Sequence, residues 1–275
     1  MKLTDRIEYS AATQSDLIHV VRPTDTSQNA AGSSYKMTLQ TVMGLVPTYW
    51  ITGSTGINSI KANNTTGLNA TGDYSVAEGS GTTSSGFASH AEGSKTTASG
   101  LTSHSEGYFT TAGNYGHAEG YFTTAGNYSH AEGFLTTASG GSHSEGSNTT
   151  ASGSFSHTEG MLTIASGIYS HAQGNRTTAS GSGSTASGSG STASGNYSFV
   201  HGTGSTASGS GTIVLGSNIT GTLRNTVYVS PMIVANLTAT QITGGTLTAA
   251  NGMIVYDTTY NKFKGYENGS WVNLI

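Results

Sequence analysis

The chain has 275 residues, of which 40 are glycine and only 9% are charged, with a net charge of −4 and no cysteine. That balance excludes a basic nucleic-acid surface, disulfides and thiolate metal sites. Apolar residues make up 34%, much of it alanine, which leaves a disordered Gly/Ser/Thr polymer or a repeat fold needing only small side chains inside.

Residues 1–45 open without an uninterrupted apolar run, so no signal peptide is expected. They carry Asp16-Leu17-Ile18-His19-Val20-Val21, a polar loop over 24–32, then Lys36-Met37-Thr38-Leu39. No stretch approaches the length of apolar chain that crosses a bilayer as a helix, so no membrane insertion is expected. Residues 46–72 lead into the repeats through Thr48-Tyr49-Trp50-Ile51, with Trp50 as an expected packing anchor. Residues 73–216 are the repeat region. Residues 217–250 read as a β-rich neck around TVYVSPMIVANL, and 251–275 as a small β module with Tyr256, Phe263, Tyr266 and Trp271.

The repeat decides the fold class. From Gly79 to Gly216, glycine recurs at 20 successive intervals, 17 of seven residues and three of six. A disordered linker has composition but no phase, so a phased beat argues for structure. A coiled coil shares the period, but glycine in every heptad costs too much helix propensity. The heptads alternate between Ser-His-Ala-Glu-Gly, as at 89–93, and Thr-Thr-Ala-Ser-Gly, as at 96–100, so the unit is about 14 residues. Five-residue strands closed by glycine fit, since glycine takes the positive-φ corner. Alanine stands two before glycine at Ala91, Ala98, Ala131 and Ala151 among many others, and is assigned to a narrow interior. The expectation is an all-β parallel β-roll of about ten turns spaced by about 4.8 Å. The three six-residue intervals are read as single deletions at corners. So thin a coil points to side-by-side association, and closed cyclic symmetry is its usual form.

The opposite face carries His90/Glu92, His104/Glu106, His117/Glu119, His130/Glu132, His143/Glu145 and His157/Glu159, then His171 with Gln173. Each pair is i, i+2 and faces one way from a strand. Three readings compete. The ladder lines an interchain interface, with His of one chain donating to Glu of the next. It holds a file of metal ions or anions, although no metal ligand is assigned. Or it is a solvent-facing stripe for receptor contact. Val76 before the ladder and Phe199, Ile213 and Leu215 after it are apolar rungs, which favours the interface. In that arrangement the His pKa values rise and the Glu values fall.

The repeats over residues 73–216 resemble the head repeats of trimeric autotransporter adhesins of the YadA kind. The resemblance implies a left-handed parallel β-roll with three chains around one axis, a homotrimer. Where that family often has Val and Ile, this chain has His and Glu. The flanks resemble phage fibres instead. The motif at 16–21 and 36–39 is similar to a fibre's N-terminal attachment module. Gly252-Met253-Ile254-Val255-Tyr256-Asp257, Lys262-Phe263-Lys264-Gly265-Tyr266 and Trp271-Val272 resemble the small β end-module of tail proteins.

No catalytic motif stands out: there is no HExxH and no P-loop, and the G-x-G strings follow from low complexity. Identical repeated carboxylates are not what a glycan-cleaving pair requires. Adjacent threonines point oppositely, unlike the flat T-x-T face of an ice-binding solenoid. Asp257, Glu267 and Tyr256 suggest a small site or, more simply, a turn. Tyr256, Tyr266 and Trp271 are candidate receptor contacts or else the end-module's core. The expected function is a non-enzymatic virion fibre without cofactors, tail fibre favoured, docked to other virion proteins by residues 1–45 and contributing to host-surface attachment through a glycan or protein receptor. A capsid-attached head fibre, a passive spacer and a bacterial adhesin head are the alternatives. No nucleic-acid partner is expected.

Overall fold

The structure, a computed structural model, describes residues 49–63, 67–229, 236–243 and 249–274, with the backbone of Leu17–Arg22 and Ser33–Thr38. Contacts divide the chain into two units, Met1–Tyr108 and Phe109–Ile275. Both are built from the same parallel β-solenoid turn of about 14 residues, about 12 turns in all. Helix is almost absent, as the glycine content requires.

Each turn has one long and one short strand. In the first unit the long strands Ile60–Ala62, Val76–Ser80, His90–Ser94 and His104–Tyr108 pair in parallel, with His104 over His90 and Glu106 over Glu92. The short strands Asn69–Ala70, Thr83–Ser84 and Thr97–Ala98 form a second ladder. In the second unit the long strands run from His117–Tyr121 to Val227–Val229 and the short ones from Thr111–Ala112 to Thr220–Gly221. The solenoid therefore extends at both ends beyond the expected 73–216. It takes in Ile60–Ala62, read in the sequence as linker, and Val227–Val229, read as neck.

The expected five-residue strand closed by glycine needs correcting. In the long strands glycine is the fourth residue, with φ of +110° at Gly133, and pairing continues past it. A Cβ at Gly133 would run into the carbonyl of Gly146 on the next turn. The short strand is only two residues, because the chain must turn out of it within a few residues. All three shortened intervals fall at one corner, between the short strand and the next long one. Only four residues separate Ala112 from His117, Ala125 from His130 and Ala138 from His143, against five between Ala98 and His104.

Alanine fills the interior as expected: Ala91, Ala98, Ala118, Ala131, Ala151 and Ala172 have no exposed surface. The interior is not methyl alone. Thr96, Thr123 and Thr136 on the short side, and Ser89, Ser103 and Ser170 just before each His, are also buried. The serines close the corner by donating to a glycine carbonyl three residues back, Ser89 to Gly86 at 2.7 Å, Ser103 to Gly100 at 2.8 Å and Ser170 to Gly167 at 2.7 Å. A buried hydroxyl without such a bond is costly. The adjacent threonines do point oppositely, Thr96 buried and Thr97 half-buried.

The sequence does not reveal the corners. Bulky residues there adopt the left-handed conformation: Tyr115, Tyr128, Tyr169 and Tyr197 at one corner, Phe109, Phe122, Leu135 and Leu162 at the other, all with φ of 54–58°. That conformation costs about 1–2 kcal/mol for an L-residue. It turns each amide onto the previous turn, as in Tyr128 N–H to Asn114 O at 2.8 Å and Leu135 N–H to Tyr121 O at 2.9 Å. Successive rings then stack, Tyr115 on Tyr128 at 5.0 Å and Phe109 on Phe122 at 4.8 Å.

Outside the solenoid, Leu17–Arg22 and Ser33–Thr38 form an antiparallel pair, Val20 opposite Tyr35. The remainder of the 1–45 module lies outside the described residues, as do 230–235 of the neck. The neck is not purely β. Ala239–Thr243 is a helical turn capped by Thr238, whose hydroxyl accepts from Gln241 N–H while Gln241 Oε1 accepts from Thr238 N–H. The C-terminal module is a four-stranded sheet of Asn236–Leu237, Ile254–Asp257, Lys262–Glu267 and Ser270–Asn273. Among the described residues no helix is long and apolar enough to cross a membrane.

Candidate functional site: the His/Glu face

Parallel in-register pairing is what turns a repeated sequence into a repeated surface. His117 sits beside His130, His130 beside His143, and His157 beside His171, with their glutamates in the same register. The rings stack face to face, 4.7 Å apart for His117–His130 and 4.9 Å for His143–His157. Every His and Glu of the expected ladder is on this outward face, each roughly one-third exposed.

Within one chain the His and Glu partners approach without closing a hydrogen bond. His117 Nε2 lies 3.5 Å from Glu119, His143 Nε2 3.9 Å from Glu132, and His171 Nε2 4.0 Å from Glu159. Good charge-assisted bonds are about 2.7–2.9 Å. The Nε2 atoms of His130, His143, His157 and His171 are themselves shielded from solvent and have no hydrogen-bond partner.

Burial holds the His143 imidazole below its usual range, helped by His130 and His157 on either side. Glu145 and Glu132 pull the other way and do not prevail. The upward shift expected of an interface histidine is thus reversed at His143 in the single chain. Stacking at one-turn spacing gives an inner ring such as His143 a like neighbour on each face.

In the second unit the face changes character along the ladder. Beyond His171 the register runs through Thr185 to Phe199, Ile213 and Val227, and through Ser187 and His201 to Leu215 and Val229. Phe199, Ile213, Leu215, Val227 and Val229 are all exposed. His201 Nδ1 is 2.8 Å from Ser187 Oγ. In the first unit Val76 and Ile60 occupy the His position, and Trp50, 46% exposed, is not the buried anchor expected.

No family model and no curated protein matches the chain.

The C-terminal aromatics pair with one another across strands. Tyr256 pairs across strands with Phe263 at 5.1 Å, and Tyr266 with Trp271 at 5.2 Å, all edge to face. Phe263 and Tyr266 are three apart on one strand, so the two pairs lie on opposite faces of the sheet. Tyr256, Tyr266 and Trp271 are half-buried, while Val255 is the fully buried apolar side chain of this sheet. Asp257 serves a turn: its carboxylate accepts from Thr259 N–H at 2.9 Å and pairs with Lys264 at 2.7 Å. Glu267 is exposed at the far end of the same hairpin and does not join it.

Proposed function

We propose that this chain is a structural fibre protein of a virion, a tail fibre in preference to a head fibre, which self-associates as a homotrimer through the His/Glu face. One observation carries the self-association: the polar ladder continues in register into an exposed row of Phe199, Ile213, Leu215, Val227 and Val229. An apolar row on the outside of a solenoid whose interior holds mostly alanine, serine and threonine is surface awaiting a partner. Its one-turn spacing suits an identical row on a second copy, and closed homomeric symmetry limits the assembly. The virion role rests on the resemblance of the flanks to fibre modules, with residues 1–45 holding the particle and the C-terminal sheet distal. Host attachment would then fall to the distal end, with Tyr256, Tyr266 and Trp271 the first residues to examine. Repetition of one His/Glu pair supports scaffolding over catalysis.

Sedimentation equilibrium of the full chain tests the assembly. The expected mass is three times 27.9 kDa. Replacing Phe199, Ile213 and Leu215 together by serine is expected to shift the distribution toward monomer while the β spectrum persists. A monomeric wild type would sink the reading. Antibody labelling of particles would then separate virion fibre from bacterial adhesin.

A further inference from the structure

We infer that the His/Glu face is a file of binding sites for divalent transition-metal ions of the zinc type. The inference goes beyond the fibre reading and uses geometry within a single chain. Three-residue groups recur along the face: Glu78, His90 and Glu92, then Glu92, His104 and Glu106, in the first unit. In the second unit they are His117, Glu119 and His130, then Glu132, His143 and Glu145, then Glu145, His157 and Glu159. In each group the ligating atoms all lie within 4.8 Å of one another.

Three further observations point to a cation. The Nε2 atoms of His130, His143 and His157 are solvent-shielded without a hydrogen-bond partner, an arrangement that costs stability unless something accepts the lone pair or the proton. The Nε2–carboxylate separations of 3.5–4.0 Å are too long for hydrogen bonds. Two donors at 2.0–2.2 Å from one tetrahedral ion stand about 3.4 Å apart; pairs such as His143 and Glu132, at 3.9 Å, need a few tenths of an ångström of movement, and third ligand atoms as far as 4.8 Å away need about an ångström. Lastly, Glu119, Glu132, Glu145 and Glu159 line one glycine-floored groove, and no Lys or Arg is among the residues that line it. Carboxylates stacked one turn apart repel one another, and a cation held between them relieves that repulsion.

The donor set selects the ion. Imidazole with carboxylate suits zinc, cobalt, nickel or copper, whereas calcium and magnesium prefer oxygen alone. Glu92 and Glu145 each belong to two groups, so neighbouring ions would share a carboxylate.

The full chain, stripped with chelator and titrated with zinc alone in a calorimeter, is expected to bind more than one ion per chain. Excess magnesium is not expected to compete. Zinc should also raise the melting temperature, because it binds the fold and not the unfolded chain. Glu145→Gln and Glu92→Gln should each remove or weaken, by roughly 10–100-fold, the two sites that share the replaced carboxylate, leaving the others as in wild type, and the double variant should lose more than either. Glu267→Gln, on the C-terminal hairpin, should bind as wild type. Circular dichroism without zinc shows which variants fold. Fewer than one zinc per chain, or folded Glu92→Gln and Glu145→Gln proteins that bind as wild type, would overturn the inference. Sedimentation of the stripped and loaded chain reads the fibre proposal separately: a zinc-binding monomer defeats the trimer alone, and a zinc-blind trimer defeats the metal file alone.

Discussion

His143 lies flat on His130, ring centroids 4.8 Å apart and planes 7° from parallel, with His157 against its other face at 4.9 Å. A proton on the middle ring is disfavoured by burial and by both neighbours, so its folded pKa lies below 6.5. The unfolded state then binds more protons around that value. The stabilisation is present above the unfolded pKa and is lost as pH falls through the folded one. NMR titration of the chain held monomeric by the Phe199, Ile213 and Leu215 serine replacements is expected to put the His143 midpoint below 6.5. The melting temperature should drop as pH falls below about 6.5, and drop less in His143→Gln. A midpoint that is higher in the assembled wild type than in the monomeric variant would mark carboxylates of a neighbouring chain facing the ring.

The interior predicts two opposite outcomes. Ala172 has no exposed surface and sits between Thr158 and Ala186 on neighbouring turns. Ala172→Leu has nowhere to expand, and overpacking typically costs about 1–3 kcal/mol. Ala131→Ser is expected to be mild, since Ser144 already fills the same position one turn on. Thr136 is buried with an unpartnered hydroxyl, so Thr136→Val keeps the shape and removes the unpaired group. A gain of about 1 kcal/mol is expected in denaturant titrations. A loss of stability in Thr136→Val would mean that a water or a neighbouring chain reaches that hydroxyl.

The solenoid, its parallel sense and its alanine interior were legible because glycine and alanine each repeat in phase, and phase survives translation into register. The His/Glu face was legible for the same reason. Corner geometry was not. Gly133 and Gly153 look alike in the heptad, yet only Gly133 has positive φ, while Gly153 is excluded from carrying a Cβ by the Gly167 backbone. Many of the left-handed residues are Tyr, Phe and Leu, types that give no turn signal, although Asn148, Asn218 and Asn225 do give one. The recurrence of Gly-Asn-Tyr at 113–115, 126–128 and 195–197 hinted at three of the tyrosines. The turn count was low because Ile60–Ala62 and Val227–Val229 keep the hydrogen-bond ladder without keeping the motif.

The two kinds of positive-φ position, one in the long strand and one at a corner, respond differently to substitution. Gly133→Ala must hold φ near +110° and clear the Gly146 carbonyl. Strain of this kind costs on the order of 1–3 kcal/mol before any clash is counted. Tyr169→Gly relieves a left-handed tyrosine and loses one stack on Phe155 at 5.5 Å. Gly183 already stands at the equivalent corner one turn later, with φ of +64°. Thermal melts should therefore show a large loss for Gly133→Ala and a small change of either sign for Tyr169→Gly. Equal losses would contradict the assignment of strain to the long-strand glycine.

Asp257 and Lys264 make the C-terminal sheet the part most sensitive to strong acid. Burial pushes the Asp257 carboxyl up, but Lys264 at 2.7 Å and the amides of Thr259 and Tyr260 together hold it below 3.8. A depressed carboxyl contributes stability above its unfolded pKa, and that contribution is lost as pH falls through the folded one. Lys264→Met removes the cation and leaves a carboxylate with no exposed surface facing an apolar chain. Hydrogen exchange should then rise at Val255, Tyr256 and Tyr266, whose strands meet at this pair, and stay unchanged at Ala131 and Ala151 in the solenoid. Asp257→Asn combined with Lys264→Met removes both charges and should recover much of the protection. If the double variant exchanges as fast as the single one, the turn bonds to Thr259 and Tyr260, and not the ion pair, hold the hairpin.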